Sequence, residues 1–195
     1  MKTKGDDRID LLAFKVEGFG SDTFAIDVLS YSRNSILYFW NQERIFLVYK
    51  PDHIKWLPSA INYPRIPSRR LFWFLMPFIG LYGFALPIFM FGCLCVRFRP
   101  KVCWTENTWV AAVWGGARKL GLCKYSIYSV GDWLGASSNK NLIIYLANNV
   151  LWRSFDYLAA TLSDLMVNLT KEIGEARDQF WGRRVGKRVY TSFPP

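Results

Sequence analysis

Three places along the chain combine residue types that can bind or transfer a chemical group, and each follows a run of strand-forming residues. Behind the run Ile9 to Val16 stand Gly18 and Gly20. Two glycines let a backbone come close to a ligand and leave amides facing a phosphate where the next helix starts. They do not complete a GxGxxG fingerprint, so an ordinary tight turn fits them equally well. Behind Lys101 to Glu106 stand Glu106 itself and Asn107, a carboxylate and an amide able to hydrogen-bond sugar or lipid hydroxyls; a solvated loop is the plainer alternative. Behind Tyr125 to Val130 stand Asp132 and Trp133, a carboxylate beside an apolar platform. A base must lie within hydrogen-bond reach of the hydroxyl it deprotonates, and a strand end holds it there rigidly. A turn or cap aspartate is the alternative for Asp132.

Other chemistries find little support. Cys93, Cys95, Cys103 and Cys123 include no CxxC pair and the single His53 lies far from them, so neither a zinc site nor a disulfide framework is expected, and the thiols are read as reduced and mostly buried. Asn168-Leu-Thr170 matches a glycosylation sequon but falls at the end of an expected buried strand, which argues against modification.

The elements that must position these residues alternate. Ile9 to Val16 reads as a buried strand, Thr23 to about Trp40 as a helix, Arg44 to Tyr49 as a second strand, and His53 to Leu57 as a third short one before the Pro-rich loop Pro58 to Pro67. Then come a strand at Lys101 to Glu106, a helix at Trp109 to Leu120 stopped by Gly121, and a strand at Tyr125 to Val130. A long helix from Asn139 to about Ser163, a strand at Leu165 to Leu169, a helix at Lys171 to Phe180 capped by Thr170, and a strand from Arg188 complete the series. Such alternation implies an α/β fold: a Rossmann-like open parallel sheet with helices on both faces. In such a sheet ligands bind outside the carboxyl ends of the strands, where Gly18, Glu106 and Asp132 would meet.

The 195 residues are 51% hydrophobic, enough for one sizeable core. A formal charge of +10 favours an anionic partner without choosing which. One basic cluster, Arg65, Arg69, Arg70, Arg97, Arg99 and Lys101, brackets the uncharged run Leu71 to Val96. That run is long enough to span a bilayer, but Pro77, Gly80, Gly83, Pro87 and Gly92 interrupt it. Three arrangements fit it: a helix or hairpin in the membrane interface, a buried core helix, and a true span; the basic bracket favours the first. The charged start, Met1 to Arg8, lacks a signal-peptide core and points to the cytoplasm.

Several passages resemble the first domain of family 4 glycosyltransferases of the GT-B fold: Arg99-Pro-Lys-Val-Cys-Trp-Thr-Glu-Asn107, Ala117-Arg-Lys-Leu-Gly121, Tyr125 to Trp133, and Phe155-Asp-Tyr-Leu-Ala-Ala-Thr-Leu-Ser-Asp164 with Leu165 to Thr170. Arg177 stands where that family often has an arginine in the next helix, whereas Lys101 replaces its usual aspartate. The resemblance covers about residues 97 to 195, and Gly18-Phe-Gly20 only loosely represents the family's Gly-Gly loop.

The resemblance implies half of a GT-B fold: residues 1–190 as the acceptor domain with a membrane-facing segment at 71–96, residues 191–195 as the start of the interdomain linker, and a donor domain missing beyond it. It implies a retaining, metal-independent hexosyltransferase without cofactor, taking a nucleotide sugar as donor and a lipid-linked or polysaccharide acceptor. Asp132 and Glu106 would line the acceptor pocket as catalytic residues and Gly18 and Gly20 would face the donor diphosphate. The half would be inactive alone, partnered by a separate C-terminal half and by an anionic membrane surface rather than nucleic acid, as a peripheral protein at the inner face of the cell membrane. The alternative is a membrane-anchored α/β binding or assembly protein without catalysis.

Overall fold

The computed structural model describes residues 8–16, 21–41, 44–62, 85–130, 147–182, 185–186 and 188–190. The elements are β1 (Leu11–Val16), α1 (Ser21–Tyr31), β2 (Ser35–Trp40), β3 (Arg44–Tyr49), β4 (Ala60–Asn62), α2 (85–98), β5 (Val102–Thr105), α3 (Thr108–Lys119) and β6 (Tyr125–Val130). A π-helical turn (Ala147–Trp152) then runs into α4 (Arg153–Leu162), followed by β7 (Leu165–Asn168), α5 (Lys171–Trp181) and β8 (Arg188–Tyr190).

The eight strands among the described residues form one sheet in the order β4-β3-β2-β1-β5-β6-β7-β8. From β2 through β8 on that order the pairings are parallel, while β3 and β4 add an antiparallel edge beside β2. The chain winds outward from β1 to β4, returns through α2 to β5 on the other side of β1, and winds outward again to β8. The strand order therefore reverses between β1 and β5. Right-handed crossovers running in opposite directions put α1 on the face opposite α3, α4 and α5. The chain is thus an α/β protein with a Rossmann-like, mostly parallel open sheet.

Burial explains the central strands. Leu12 and Phe14 of β1 and Ile36 and Tyr38 of β2 enter one core, while Ala13, Leu37 and Phe39 are buried on the opposite side of the same strands. Strands buried on both faces read as continuous apolar runs rather than alternating ones. That is why Ser35–Trp40 is a strand and not the second half of the helix expected from Thr23 to Trp40. The helix stops earlier: Ser32 Oγ accepts from the Asn34 amide at 3.2 Å, and Ser35 Oγ donates to the Ser32 carbonyl at 2.8 Å. His53 to Leu57 is not a strand either. His53 lies in a turn closed by the Ile54 amide on the Pro51 carbonyl, and the short pairing strand comes later, as β4 within the Pro-rich stretch. Of the long helix expected from Asn139, the described part is the π turn and α4.

The second part of the uncharged run forms α2, whose Met90, Phe91, Leu94, Cys95 and Phe98 enter the core; residues 71–84 lie outside the described residues. Phe91 sits at the centre, its ring 4.5 Å from Phe14, 5.7 Å from Tyr38 and 5.5 Å from Trp114 of α3. The opposite face of α2 exposes Phe89, Cys93 and Val96. No helix among the described residues is long and apolar enough to cross a membrane. Cys95, Cys103 and Cys123 are buried free thiols and Cys93 is an exposed one, close to the expected pattern.

Helices α3 and α4 cross closely at Gly115, where a Cβ would come 2.6 Å from Leu162 Cβ. Trp109 and Phe155, with ring centroids 4.1 Å apart, pack the same two helices together at their other ends.

Candidate functional site

β1, β5 and β6 lie side by side and parallel, so their carboxyl ends open on one sheet edge, at the point where the strand order reverses. Glu106 is the first residue past β5. Phe14 pairs in register with Thr105, so the next residue of β1, Lys15, comes alongside Glu106. Lys15 Nζ donates to Glu106 Oε1 at 2.7 Å, with the two side chains only 12% and 25% exposed. The ammonium also lies 5.9 Å from the Trp104 ring centroid. A charge-assisted bond at this distance fixes the carboxylate against the sheet edge.

Asn107 has a different task from the one expected. Its Oδ1 accepts from the amides of Trp109 and Val110, both at 3.1 Å, and its own amide donates to Thr105 Oγ1 at 2.9 Å. It is the N-cap of α3, satisfying two helix-end amides that would otherwise lack partners. Asn107 therefore directs the start of α3 at this edge beside Glu106.

Beneath the edge, on the face covered by α3, α4 and α5, runs a buried polar chain. Thr108 Oγ1 and the Tyr128 hydroxyl are 2.9 Å apart, and Tyr128 donates to Asp156 Oδ1 at 2.9 Å. Arg177 grips Asp156 with two bonds, Nε to Oδ2 and Nη2 to Oδ1, both 2.9 Å, and reaches Asn168 Oδ1 at 2.8 Å through Nη1. Asp156, Asn168 and Arg177 are completely buried. Burial pushes the Asp156 carboxyl above its ordinary value although Arg177 and Tyr128 pull the other way. Burial, then the Asp156 charge, holds Tyr128 far above the usual phenol range, so it stays a donor. Sealed from solvent, these side chains tie α3, β6, α4, β7 and α5 into one support for the edge.

Among the sequence-predicted site residues, Glu106 is at the edge as expected. Gly18, Gly20 and Asp132 lie outside the described residues, as does the segment 191–195; the strands leading to the first three, β1 and β6, flank β5. Asn168 serves inside the protein as an acceptor for Arg177. His53 is exposed, and no group of three or more His, Cys, Asp or Glu side chains among the described residues is placed to hold a metal ion.

Sequence reasoning missed Lys15, although a lysine one residue from the end of an otherwise apolar strand is itself a signal. It marked Asp156 and Arg177 but not their pairing across 21 positions. Compared with protein-family models, curated proteins and solved structures, the chain matches none.

Proposed function

We propose that this chain is the acceptor-side half of a GT-B glycosyltransferase, moving a sugar from a nucleotide sugar to a lipid-linked or glycan acceptor. The carrying observation is Glu106, held by Lys15 at the point where the strand order reverses, between β1 and β6, the strands that Gly18 and Gly20 and Asp132 follow in the sequence. An open α/β sheet hosts many chemistries, so the choice of sugar transfer rests on the motif resemblance. In this proposal Glu106 accepts a hydrogen bond from an acceptor hydroxyl and Asp132 lines the same pocket. Gly18 and Gly20 face the donor diphosphate supplied by a second domain. The protein works as a peripheral one at the inner face of the cell membrane, a role supported by the basic residues around α2 and its exposed Phe89 and Val96.

The test is sugar transfer from a panel of nucleotide sugars, with the chain alone and with a candidate donor half expressed separately. Transfer is expected only from the pair. In the pair, Glu106→Gln is expected to lower kcat/KM roughly 10- to 150-fold, since a hydrogen bond to a charged group contributes about 1.5–3 kcal/mol. Robust transfer by the chain alone, or an unaffected E106Q pair, would refute the proposal.

A further inference from the structure

At the opposite, amino edge of the sheet a pocket of about 470 Å³ is lined by Arg8, Arg99, Lys101, Gly121, Cys123 and Lys124, together with Pro100 and Leu122. Four of these are cations and none is a carboxylate. Lys101 is held by Asp10 at 2.7 Å, and Lys124 lies 5.3 Å from the Tyr125 ring centroid. The walls are built of sheet-edge backbone: the Lys101 amide on the Ile9 carbonyl at 3.0 Å, the Lys124 amide on the Pro100 carbonyl at 3.3 Å, and the Tyr125 amide on the Lys101 carbonyl at 2.8 Å.

Arg99 is the unusual member. It follows the end of α2, its amide donating to the Cys95 carbonyl at 3.0 Å, and its φ of 43° is left-handed. Glycine is the unstrained residue for a helix end of this kind. The chain uses glycine where α3 and α5 close the same way, at Gly121 with φ 73° and Gly182 with φ 63°. A glycine at position 99 would end α2 without strain; what arginine adds is an exposed guanidinium at the mouth of a basic pocket. Strained backbone of this sort collects where a ligand is clamped.

We propose that this pocket binds a phosphate-bearing anion, with Arg99 and Lys124 as its principal contacts. The planar guanidinium can take two phosphate oxygens at once, and the lysine adds a point charge. The site lies across the sheet from Glu106 and does not depend on the sugar-transfer proposal. The anion can be a free phosphate compound or the headgroup of an anionic lipid, and two arms of one experiment separate these sources.

The full chain is titrated calorimetrically with inorganic pyrophosphate at constant ionic strength, and in parallel is sedimented with phosphatidylglycerol vesicles, phosphatidylcholine vesicles serving as the neutral control. Saturable binding is expected in at least one arm. It should weaken at least tenfold in Arg99→Gln and in Lys124→Gln and hold in Lys171→Gln, which removes an equal charge from α5. Saturable pyrophosphate binding identifies a free phosphate compound, and binding to the anionic vesicles alone identifies a lipid headgroup. Absence of saturable binding in both arms, or equal weakening in all three variants, overturns the site. Arg99→Gly guards against loss through unfolding: it should melt a few degrees higher than the parent while binding as weakly as R99Q. A lower melting temperature would overturn the assignment of strain to ligand binding.

Discussion

Replacing Arg177 by methionine removes a guanidinium that bonds Asp156 through two nitrogens while keeping the volume of the side chain roughly filled. Asp156 then stays fully buried, keeping its bond from the Tyr128 hydroxyl and the pull of the Arg153 charge, and Asn168 Oδ1 loses its 2.8 Å bond from Arg177. Breaking a buried ion pair from one side costs about 3–5 kcal/mol, because an uncompensated charge stays in a medium that solvates it poorly. At about 2–4 °C per kcal/mol for a chain of this size, the melting temperature should fall by roughly 6–20 °C. Against a total stability of about 5–15 kcal/mol, the variant stands near unfolding. The double variant Asp156→Leu/Arg177→Met removes both charges and should regain most of the loss, since an apolar replacement of a buried pair ranges from neutral to about 1–4 kcal/mol more stable.

The pH dependence of R177M has a definite sign. Burial already raises the Asp156 carboxyl in the parent, and without the arginine it is raised further. A group whose folded value is raised gives stability that is full below its ordinary value and disappears as the pH climbs through the folded value. The deficit of R177M relative to the parent should therefore shrink towards acid pH. Thermal and urea melts followed by circular dichroism between pH 4 and pH 8, a window of about four units around the carboxylate range, measure all three quantities. A loss under about 1 kcal/mol in R177M, or a double variant as damaged as the single one, would refute the buried-pair account.

Two adjacent glycines of α3 should respond to alanine with opposite signs. Gly115→Ala drives a Cβ into Leu162 and should lower the urea midpoint by the equivalent of about 1–3 kcal/mol, while Gly116→Ala, which meets nothing within 4 Å, should gain up to about 1 kcal/mol of helix propensity. Equal responses would contradict the close crossing of α3 and α4. Asp10 is held below the usual carboxylate range, first by its bond to Lys101 and then by Ser32, so the stability it contributes is present at neutral pH and lost as the pH falls through its lowered value. Asp10→Asn should lose under about 1 kcal/mol at pH 7, and less in high salt or at low pH, when titrated by urea at several pH values; a loss that grows on acidification would contradict the assignment.

Strand and helix alternation from β5 to β8 was legible because each element there carries its own local signals. Tyr125–Val130 is rich in strand formers, Gly121 ends α3 in a left-handed turn, and Thr170 Oγ1 accepts from the Ile173 amide as the expected cap. The first third misled because Phe24, Val28, Tyr31, Ser35 and Tyr38 share a helical spacing, while a strand covered on both faces has no alternation to reveal it. Glu106 could be singled out because the end of a strand is a local property. Its partner Lys15 lies 91 positions away and is brought to it only by the pairing of β1 with β5.

The amino-acid sequence by itself determined the α/β class, the parallel character of the central strands and the strand end on which Glu106 stands, all consequences of residue types acting over a few neighbours. Only the tertiary structure decided the strand order with its reversal between β1 and β5, the antiparallel edge, the Lys15–Glu106 and Asp156–Arg177 pairs, and the basic pocket on the far edge. The reason is physical: hydrogen-bonding between strands and burial of charge depend on which distant segments share a core, and no short stretch of sequence carries that choice.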